Sequence, residues 1–251
     1  MKTIVLSLVL FLSACSLLKA RPAEHAGFLP KPELVVEMRE RAPFNFYWVF
    51  DAKQYAELRK DYGQVYIAPI DTSVVKEIYL ASSGSDKTKQ ARIQEAEELA
   101  SYFRAKLKLS LKAILTKTET QIPVRIVDKP GPKTLSLKLA LVQVVPTNPG
   151  VNLVGTAAGF FVPGGGLVKL AGEGSVAMEG FTAENEEQKD VLEQFKDRES
   201  HKASAFTVKD YQRYAHIRVA IDDWADQLAT LLTTPSEVQV EDSLPLSLNP
   251  L

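Results

Sequence analysis

Two long stretches of the chain repeat apolar residues at the spacing of one helix face. From Lys87 to Leu115 they recur every three or four positions, with charged residues between them, which predicts an amphipathic helix. A second stripe predicts a helix from about Val208 to Leu232, with Thr207 as its N-cap. The stripes consist of Ile93, Ala96, Ala100, Phe103, Leu107, Leu111 and Ile114, and of Tyr214, Ile217, Ile221, Trp224, Leu228 and Leu231.

Strand patterns occupy much of the remaining chain. Four leucines at alternate positions, from Leu135 to Leu141, predict a strand over residues 134–145. Segments rich in β-branched and aromatic residues predict further strands at residues 64–70, 123–128, 175–182 and 191–198. Three shorter segments are predicted as an aromatic strand or packed loop at 44–50, a short helix capped by Asp51 at 51–58, and a strand continuation or short helix at 74–80.

This order of elements predicts the α+β fold class. We expect a two-layer sandwich, in which a mostly antiparallel sheet is covered by the two long amphipathic helices. One domain is predicted over residues 34–232, because a chain of this size can bury a single sizeable core. Residues 15–33, with several prolines and no clean period, are predicted as a tether, and residues 233–251 as a loose C-terminal tail.

The N-terminus carries a targeting pattern. Lys2 precedes an apolar run from Ile4 to Ala14, which is too short to span a membrane and predicts a signal peptide over residues 1–14. The run ends in Leu12-Ser13-Ala14-Cys15, which resembles the lipobox of bacterial lipoproteins. That resemblance implies cleavage between Ala14 and Cys15, followed by an S-diacylglycerol and an N-acyl chain such as palmitate on Cys15. The alternative is an ordinary signal peptide that happens to contain a cysteine.

Two or more acyl chains would anchor the protein stably. Ser16, which is not aspartate, resembles the outer-membrane sorting signal of enteric-type bacteria. We therefore expect a protein held by its lipid in the cell outer membrane and facing the periplasm.

Composition narrows the function further. The 251 residues are 45% hydrophobic and carry a formal net charge of −1. This balance is typical of a globular protein and provides no basic footprint for nucleic acid. Cys15 is the one cysteine in the sequence, so a disulfide within the monomer is excluded.

Short motifs along the chain resemble those of one protein family. They are Gly27-Phe28-Leu29, Tyr55 before the strand at 65–69, Ala100-Ser101-Tyr102-Phe103, Pro130 to Leu135, Glu179-Gly180 and Trp224-Ala225. Together they resemble the bacterial lipoproteins catalogued as domain of unknown function 3313, over nearly the whole mature chain. The resemblance implies an anchored periplasmic domain and brings no established activity. The acidic turn around Asn185 departs from the shorter Asp- and Gly-containing turn expected in that family.

Signatures of known catalytic sites are absent from the sequence, including the nucleophile elbow, H-E-x-x-H, C-x-x-C and the P-loop. Residues 172–177 formally match a dinucleotide-binding pattern but precede a strand, so we interpret them as a glycine-rich turn. His25, His201 and His216 are predicted to lie on the surface, and no metal site or cofactor beyond the lipid is expected. Asp222 and Asp226, with Arg218 nearby, are interpreted as a solvated ion-pair face.

The segment Val151 to Ala171 is unusually apolar and rich in glycine. It contains Gly155 and Gly159 at a spacing that allows close helix approach, then Phe160-Phe161, and Gly165 within a Pro-Gly-Gly-Gly run that would break a spanning helix. The alternatives are a covering loop or short helix, a membrane span, or an exposed element that binds a partner or touches the membrane. These five residues are the candidate partner-binding residues.

The favoured prediction is a non-enzymatic accessory protein that binds another envelope component. One alternative is an envelope-acting hydrolase in which acids such as Glu179, Asp222 or Asp226 converge in a polar pocket. Another is a carrier of a small hydrophobic ligand in an enclosed apolar cavity.

Overall fold

The computed structural model describes residues 25–37, 41–116, 122–146, 175–184, 191–200, 214–235 and 238–243. The predicted signal peptide, Cys15 and the Val151 to Ala171 segment lie outside the described residues. Among the described helices, none is both long enough and apolar enough to cross a membrane.

Six strands and four α-helices follow a short 3-10 helix at Pro32–Leu34 in the described part of the chain. In chain order they are β1 (Phe46–Val49), α1 (Ala52–Asp61), β2 (Gln64–Ile67), α2 (Ser73–Ala81), α3 (Asp86–Leu115), β3 (Arg125–Val127), β4 (Thr134–Val145), β5 (Ser175–Ala183), β6 (Val191–Ser200) and α4 (Ala215–Thr233). The predicted α+β class is confirmed. Residues 74–80, for which a strand or a helix was open, form α2, and α4 begins after Tyr214 rather than at Thr207.

The strands form one mixed sheet in the order β1-β6-β5-β4-β2-β3. The pairs β1–β6, β6–β5 and β5–β4 are antiparallel, whereas β2 is parallel to both β4 and β3. A parallel pair needs a crossover connection, and α2 and α3 lie on the connection that leads from β2 to β3. The half of the sheet that includes β2 is therefore parallel, which the predicted hairpin order did not anticipate.

The main core lies between one face of this sheet and the two long helices. Leu135, Leu137, Leu139 and Leu141 of β4 are all buried there, as their alternation predicts. Phe103 of α3 and Trp224 of α4 meet with their ring centroids 6.0 Å apart. The predicted stripes of both helices contribute to this core, with Ile93, Ile114 and Tyr214 partly buried at its edge.

An N-terminal segment covers part of the opposite face of the sheet. Leu29 and Val35 are buried in a smaller cluster with Phe181 of β5, and the Phe28 and Phe181 ring centroids lie 5.5 Å apart. Val36 also forms a bridge with Tyr47 of β1. Residues 26–36 therefore belong to the packed body, although the sequence pattern predicts a tether over most of them.

The start of the predicted C-terminal tail is also packed. Val240 is buried, and its amide donates to the Arg41 carbonyl at 2.9 Å. The Arg41 guanidinium in turn donates to the Leu231 and Thr234 carbonyls at 3.1 and 3.2 Å, at the C-terminal end of α4. The packed body thus extends past residue 233 to at least Val240, because Arg41 ties this segment to the helix end.

Candidate functional site

A groove of about 490 Å³ lies at the carboxyl end of β2. α3 contributes most of its wall, and the segment that follows β2, together with Lys76 of α2, forms the other side. Its lining residues are Pro69, Ile70, Thr72, Lys76, Glu97, Ala100, Ser101, Arg104, Ala105 and Lys108. Ligands of open sheets with parallel strands commonly bind in the crevice outside the carboxyl ends of the strands.

The chain after β2 bends in a way that forms one end of this groove. The Ala68 and Asp71 amides donate to the Leu137 and Leu139 carbonyls of β4, at 3.0 and 2.9 Å. Pro69, which lies between them, has no amide proton to donate. The Asp71 carboxylate then accepts the Ser73 amide at 2.7 Å, at the start of α2.

Arg104 connects α3 to the end of β2. Its Nε and Nη2 atoms both donate to the Ile67 carbonyl, at 3.0 and 2.8 Å. The Nη1 atom has no hydrogen-bond partner among the described residues, and it is not among their buried unpaired side-chain atoms. One edge of the guanidinium therefore fixes the backbone, while Nη1 remains available to a ligand.

Two lysines add positive charge to the groove. Lys76 of α2 pairs with Glu97 of α3 at 2.6 Å, and Lys108 of α3 approaches Asp128 at 3.5 Å. The Glu97 and Asp128 side chains are 50% and 95% exposed, so water competes with each ion pair for the charged groups. Each pair therefore contributes little stability. Arg104, Lys76 and Lys108 set against Glu97 leave the lining with a formal charge of +2. The groove is consequently suited to binding an anion.

The acids proposed from sequence for a hydrolase do not converge. Glu179 lies on the face of β5 turned away from the long helices, where its carboxylate accepts the Ala26 and Phe28 amides at 2.9 and 3.2 Å. Asp222 and Asp226 lie on α4, on the other side of the sheet. These three carboxylates therefore do not form a shared acid–base site.

Asp222 and Asp226 instead link α4 to α3. Asp222 accepts the Tyr102 hydroxyl at 2.6 Å and lies 3.6 Å from the Lys106 ammonium, and Asp226 accepts the Ser110 hydroxyl at 2.5 Å. Burial, followed by the hydrogen bond to Asp222, raises the pKa of Tyr102 to about 12. Asp226 is exposed and Asp222 is partly exposed, as expected for a solvated face, but the salt bridge of Asp222 is with Lys106 of α3 rather than with Arg218.

The histidines do not indicate a metal centre. His25 lies near Lys196 and Glu179, and burial followed by the charge of Lys196 lowers the pKa of its imidazole. His216 is on α4, and His201 lies outside the described residues. Over the described ranges, no group of three or more His, Cys, Asp or Glu side chains could hold a metal ion.

A second polar cluster is fully buried between the sheet and α1. The Glu193 carboxylate accepts the Tyr47 hydroxyl at 2.7 Å, the Tyr55 hydroxyl at 2.9 Å and the Thr182 hydroxyl at 3.2 Å. Burial, and then the charge of Glu193, raises the pKa of both tyrosines far above the ordinary value. Because Glu193 is only 1% exposed, we assign this cluster a structural role.

The candidate site residues from sequence differ from those of the groove. Cys15, Ala14, Gly155, Gly159, Phe160, Phe161 and Gly165 all lie outside the described residues. The sequence does not indicate the groove, because its charged residues have the pattern of ordinary solvated positions on two helices. The available signal was Arg104 followed by Lys108 at i+4, on the same face as Glu97 and Ser101.

Comparison with known proteins identifies a family for this chain but no relative with a known activity. A family model described as "Protein of unknown function (DUF3313)" matches residues 52–228. No curated protein matches the chain. Among solved structures, a PelC variant dodecamer from Paraburkholderia phytofirmans is similar with a TM-score of 0.32 and 9% identity, over 69% of this chain and 88% of that chain. A likeness at that TM-score carries no inference about function.

Proposed function

Because this chain belongs to the DUF3313 family, whose members have no assigned activity, we propose from its own residues that it is a lipid-anchored binding protein of the bacterial envelope. In this proposal Cys15 carries the lipid in the outer membrane. The folded body faces the periplasm and binds another envelope component without catalysing a reaction.

The observation that carries the anchor is the position of Cys15. It directly follows Leu12-Ser13-Ala14 at the end of an apolar run of signal-peptide length. The start of the packed body agrees with this arrangement, because the Ala26 amide is bound by Glu179 only eleven residues after Cys15. A short connection of this kind suits a domain held close to a membrane.

The charges of the body favour binding over acid–base chemistry. Glu179, Asp222, Asp226 and Glu193 each accept hydrogen bonds that join parts of the fold. The groove beside α2 contains one carboxylate, Glu97, which pairs with Lys76. Binding an envelope component therefore accounts for the described polar groups without a catalytic pair.

The anchor is tested by intact-mass measurement and membrane flotation of the native protein beside Cys15→Ala. We expect the native chain to begin at Cys15, to carry acyl mass and to float with the outer membrane, and the variant to lose both properties. Ser16→Asp is the matched control, since it should keep the acyl mass but shift the protein away from the outer membrane. An unacylated native chain that remains in the periplasmic extract would overturn the proposal.

The binding half of the proposal needs its own test. Photo-cross-linking groups placed at Phe160 and Phe161, the apolar pair predicted from sequence, should give a reproducible adduct with one envelope component in intact cells. The same groups at Lys53 and Lys60 on α1 serve as controls. If no adduct formed, or if both pairs of positions gave the same adducts, the result would contradict a partner-binding role for the segment that contains Phe160 and Phe161.

A further inference from the structure

We propose that the groove between α2 and α3 binds a phosphate monoester group. The inference rests on the proposed binding function and deepens it by naming the chemistry of the ligand. The phosphate can be carried by a lipid headgroup or by a free phosphate ester, because the groove would recognise the same dianionic group in both.

Charge selects a dianion over a single carboxylate. Three cationic side chains, Lys76, Arg104 and Lys108, share the groove with Glu97. A phosphate monoester near neutral pH carries a charge of about −1.5 to −2, which compensates the remaining +2. A single carboxylate carries less charge and offers fewer acceptor oxygens to these three side chains.

Arg104 supplies the fixed donor. Its bonds to the Ile67 carbonyl hold the guanidinium plane in place through Nε and Nη2. The remaining Nη1 donor is therefore oriented before any ligand arrives, and a donor already held in position loses little conformational entropy on binding. Guanidinium groups also form strong charge-assisted hydrogen bonds with phosphate oxygens.

The lysines supply mobile charge on either side of Arg104. The Lys76 side chain is 39% exposed and its partner Glu97 50% exposed, so this ion pair can exchange Glu97 for a phosphate oxygen at small cost. Within the described ranges, Lys108 pairs with the solvent-exposed Asp128, at 3.5 Å. A bound phosphate would therefore compete with two weak ion pairs.

The shape of the groove agrees with a ligand of headgroup size. Its volume of about 490 Å³ falls in the range of small-molecule sites. Thr72, at the N-terminal end of α2, and the exposed Ser101 add hydroxyl donors to the lining.

Calorimetric titration of the full chain carrying Cys15→Ala tests the inference without interference from an acyl group. We expect inorganic phosphate to bind, and acetate to bind at least about tenfold more weakly, since one charge-assisted hydrogen bond is worth that much. Affinity for inorganic phosphate should fall as the pH is lowered and the dianion takes up a proton. An absence of phosphate binding would overturn the inference.

Variants localise the binding to the groove. Lys76→Ala with Lys108→Ala should weaken phosphate binding by about tenfold or more. The control of equal charge is Lys87→Ala with Lys112→Ala, because both residues are exposed on α3 outside the groove lining. Equal losses in the two double variants would reject the groove. Thermal unfolding of each variant checks that the fold persists.

Glu97→Gln provides a gain of affinity that misfolding could not produce. It removes the charge that competes for Lys76, so phosphate should bind severalfold more tightly. An unchanged or lower affinity would contradict the exchange of Glu97 for phosphate. Arg104 is left intact in these tests, because its loss would also free the Ile67 carbonyl.

Vesicles separate the two sources of phosphate. Phosphatidylcholine vesicles with and without phosphatidic acid are compared by co-sedimentation of the Cys15→Ala chain. Binding only in the presence of phosphatidic acid, lost in the Lys76 and Lys108 double variant, assigns the ligand to a lipid headgroup. Binding of inorganic phosphate without vesicle binding assigns it to a free phosphate ester. Both results support the phosphate site, and either stands independently of whether Cys15 is acylated in cells.

Discussion

At the scale of single residues, Glu193 shows how a buried carboxylate is accommodated in this fold. Its carboxylate accepts the hydroxyl groups of Tyr47, Tyr55 and Thr182. These residues lie on β1, α1 and β5, respectively. A buried charge without such donors would cost several kcal/mol. The hydroxyl groups of Tyr47 and Tyr55 therefore contribute to stability more than ordinary surface hydroxyls do.

Replacing both tyrosines tests this role. Tyr47→Phe and Tyr55→Phe each remove one donor to a buried charge, so each should lower the free energy of unfolding by about 1–3 kcal/mol. Chemical denaturation measures the change. Tyr66→Phe on β2 is the control and should be nearly neutral. Phenylalanine variants as stable as the wild type would show that other groups satisfy Glu193.

Because of the same two tyrosines, we expect the stability of the fold to depend on pH in the alkaline range. Their pKa is raised in the folded protein, above the value of about 10 for an unfolded chain, because burial and Glu193 disfavour the phenolate. Below pH 10 the tyrosines are neutral in both the folded and the unfolded chain, and the stability is unaffected by pH. Above pH 10 the unfolded chain loses its phenol protons first, which favours unfolding. The wild type should therefore lose stability above pH 10 more steeply than the double phenylalanine variant does.

At the scale of elements, sequence patterns predict the helices and strands whose boundaries depend on the spacing of nearby apolar residues. The α3 and β4 boundaries follow from spacing alone, because each buries one face along its own length. Local patterns do not identify strand neighbours. That β2 lies between β3 and β4 depends on the packing of α2 and α3 over the sheet, which involves residues distant in sequence.

Gly180 shows the same limit within one strand. A Cβ atom at this position would lie about 2.5 Å from the Phe195 ring and 2.6 Å from Leu139. The two residues of the Glu179-Gly180 motif therefore have separate roles on opposite faces of β5. Glu179 holds the N-terminal segment, while Gly180 admits an aromatic ring. Sequence alone carried no information about either neighbour.

The attachment of the N-terminal segment is itself testable. Glu179→Gln leaves one strong acceptor where two carboxylate oxygens now bind the Ala26 and Phe28 amides. Hydrogen exchange at these amides should accelerate by about tenfold or more, as expected for a lost hydrogen bond to a charged group. The Leu141 amide, which donates to the Asp71 carbonyl, should exchange at its wild-type rate.

Glu33→Gln is the matched control for the loss of charge, since Glu33 is exposed on the same segment. It should leave the Ala26 and Phe28 amides protected. If Glu179→Gln accelerated all three amides together, the result would indicate global destabilisation and contradict a local attachment.

At the scale of the whole molecule, the groove shows why the candidate site could not be predicted from sequence. Lys76 and Lys108 are separated by thirty-two positions and lie on different helices. They share a groove because α2 and α3 both follow β2 and pack beside it, and because Arg104 fixes α3 to the Ile67 carbonyl. Motif searches detect sites whose residues are close in sequence, and this one has no such motif.

The distance between the body and the membrane follows from the same structure. Cys15 and Ala26 are eleven residues apart, and even a fully extended chain of that length spans no more than about 40 Å. With Cys15 acylated as proposed, the packed body must remain within that distance of the bilayer. Energy transfer from the tryptophans of the body to an acceptor lipid should therefore be measurable in vesicles carrying the lipidated protein.

Lengthening the connection distinguishes a tether from a docked surface. A Gly/Ser segment of about twenty residues, inserted between Ala20 and Arg21, raises the root-mean-square reach of a flexible connection from roughly 18 Å to roughly 31 Å and should reduce energy transfer. The same segment appended after Leu251 adds equal mass without changing the connection, so transfer should stay at the wild-type value. If the insertion left transfer unchanged, the body would be touching the bilayer through its own surface. The groove beside Arg104 would then be the first region to test for that contact, because it is cationic and suited to a phosphate headgroup.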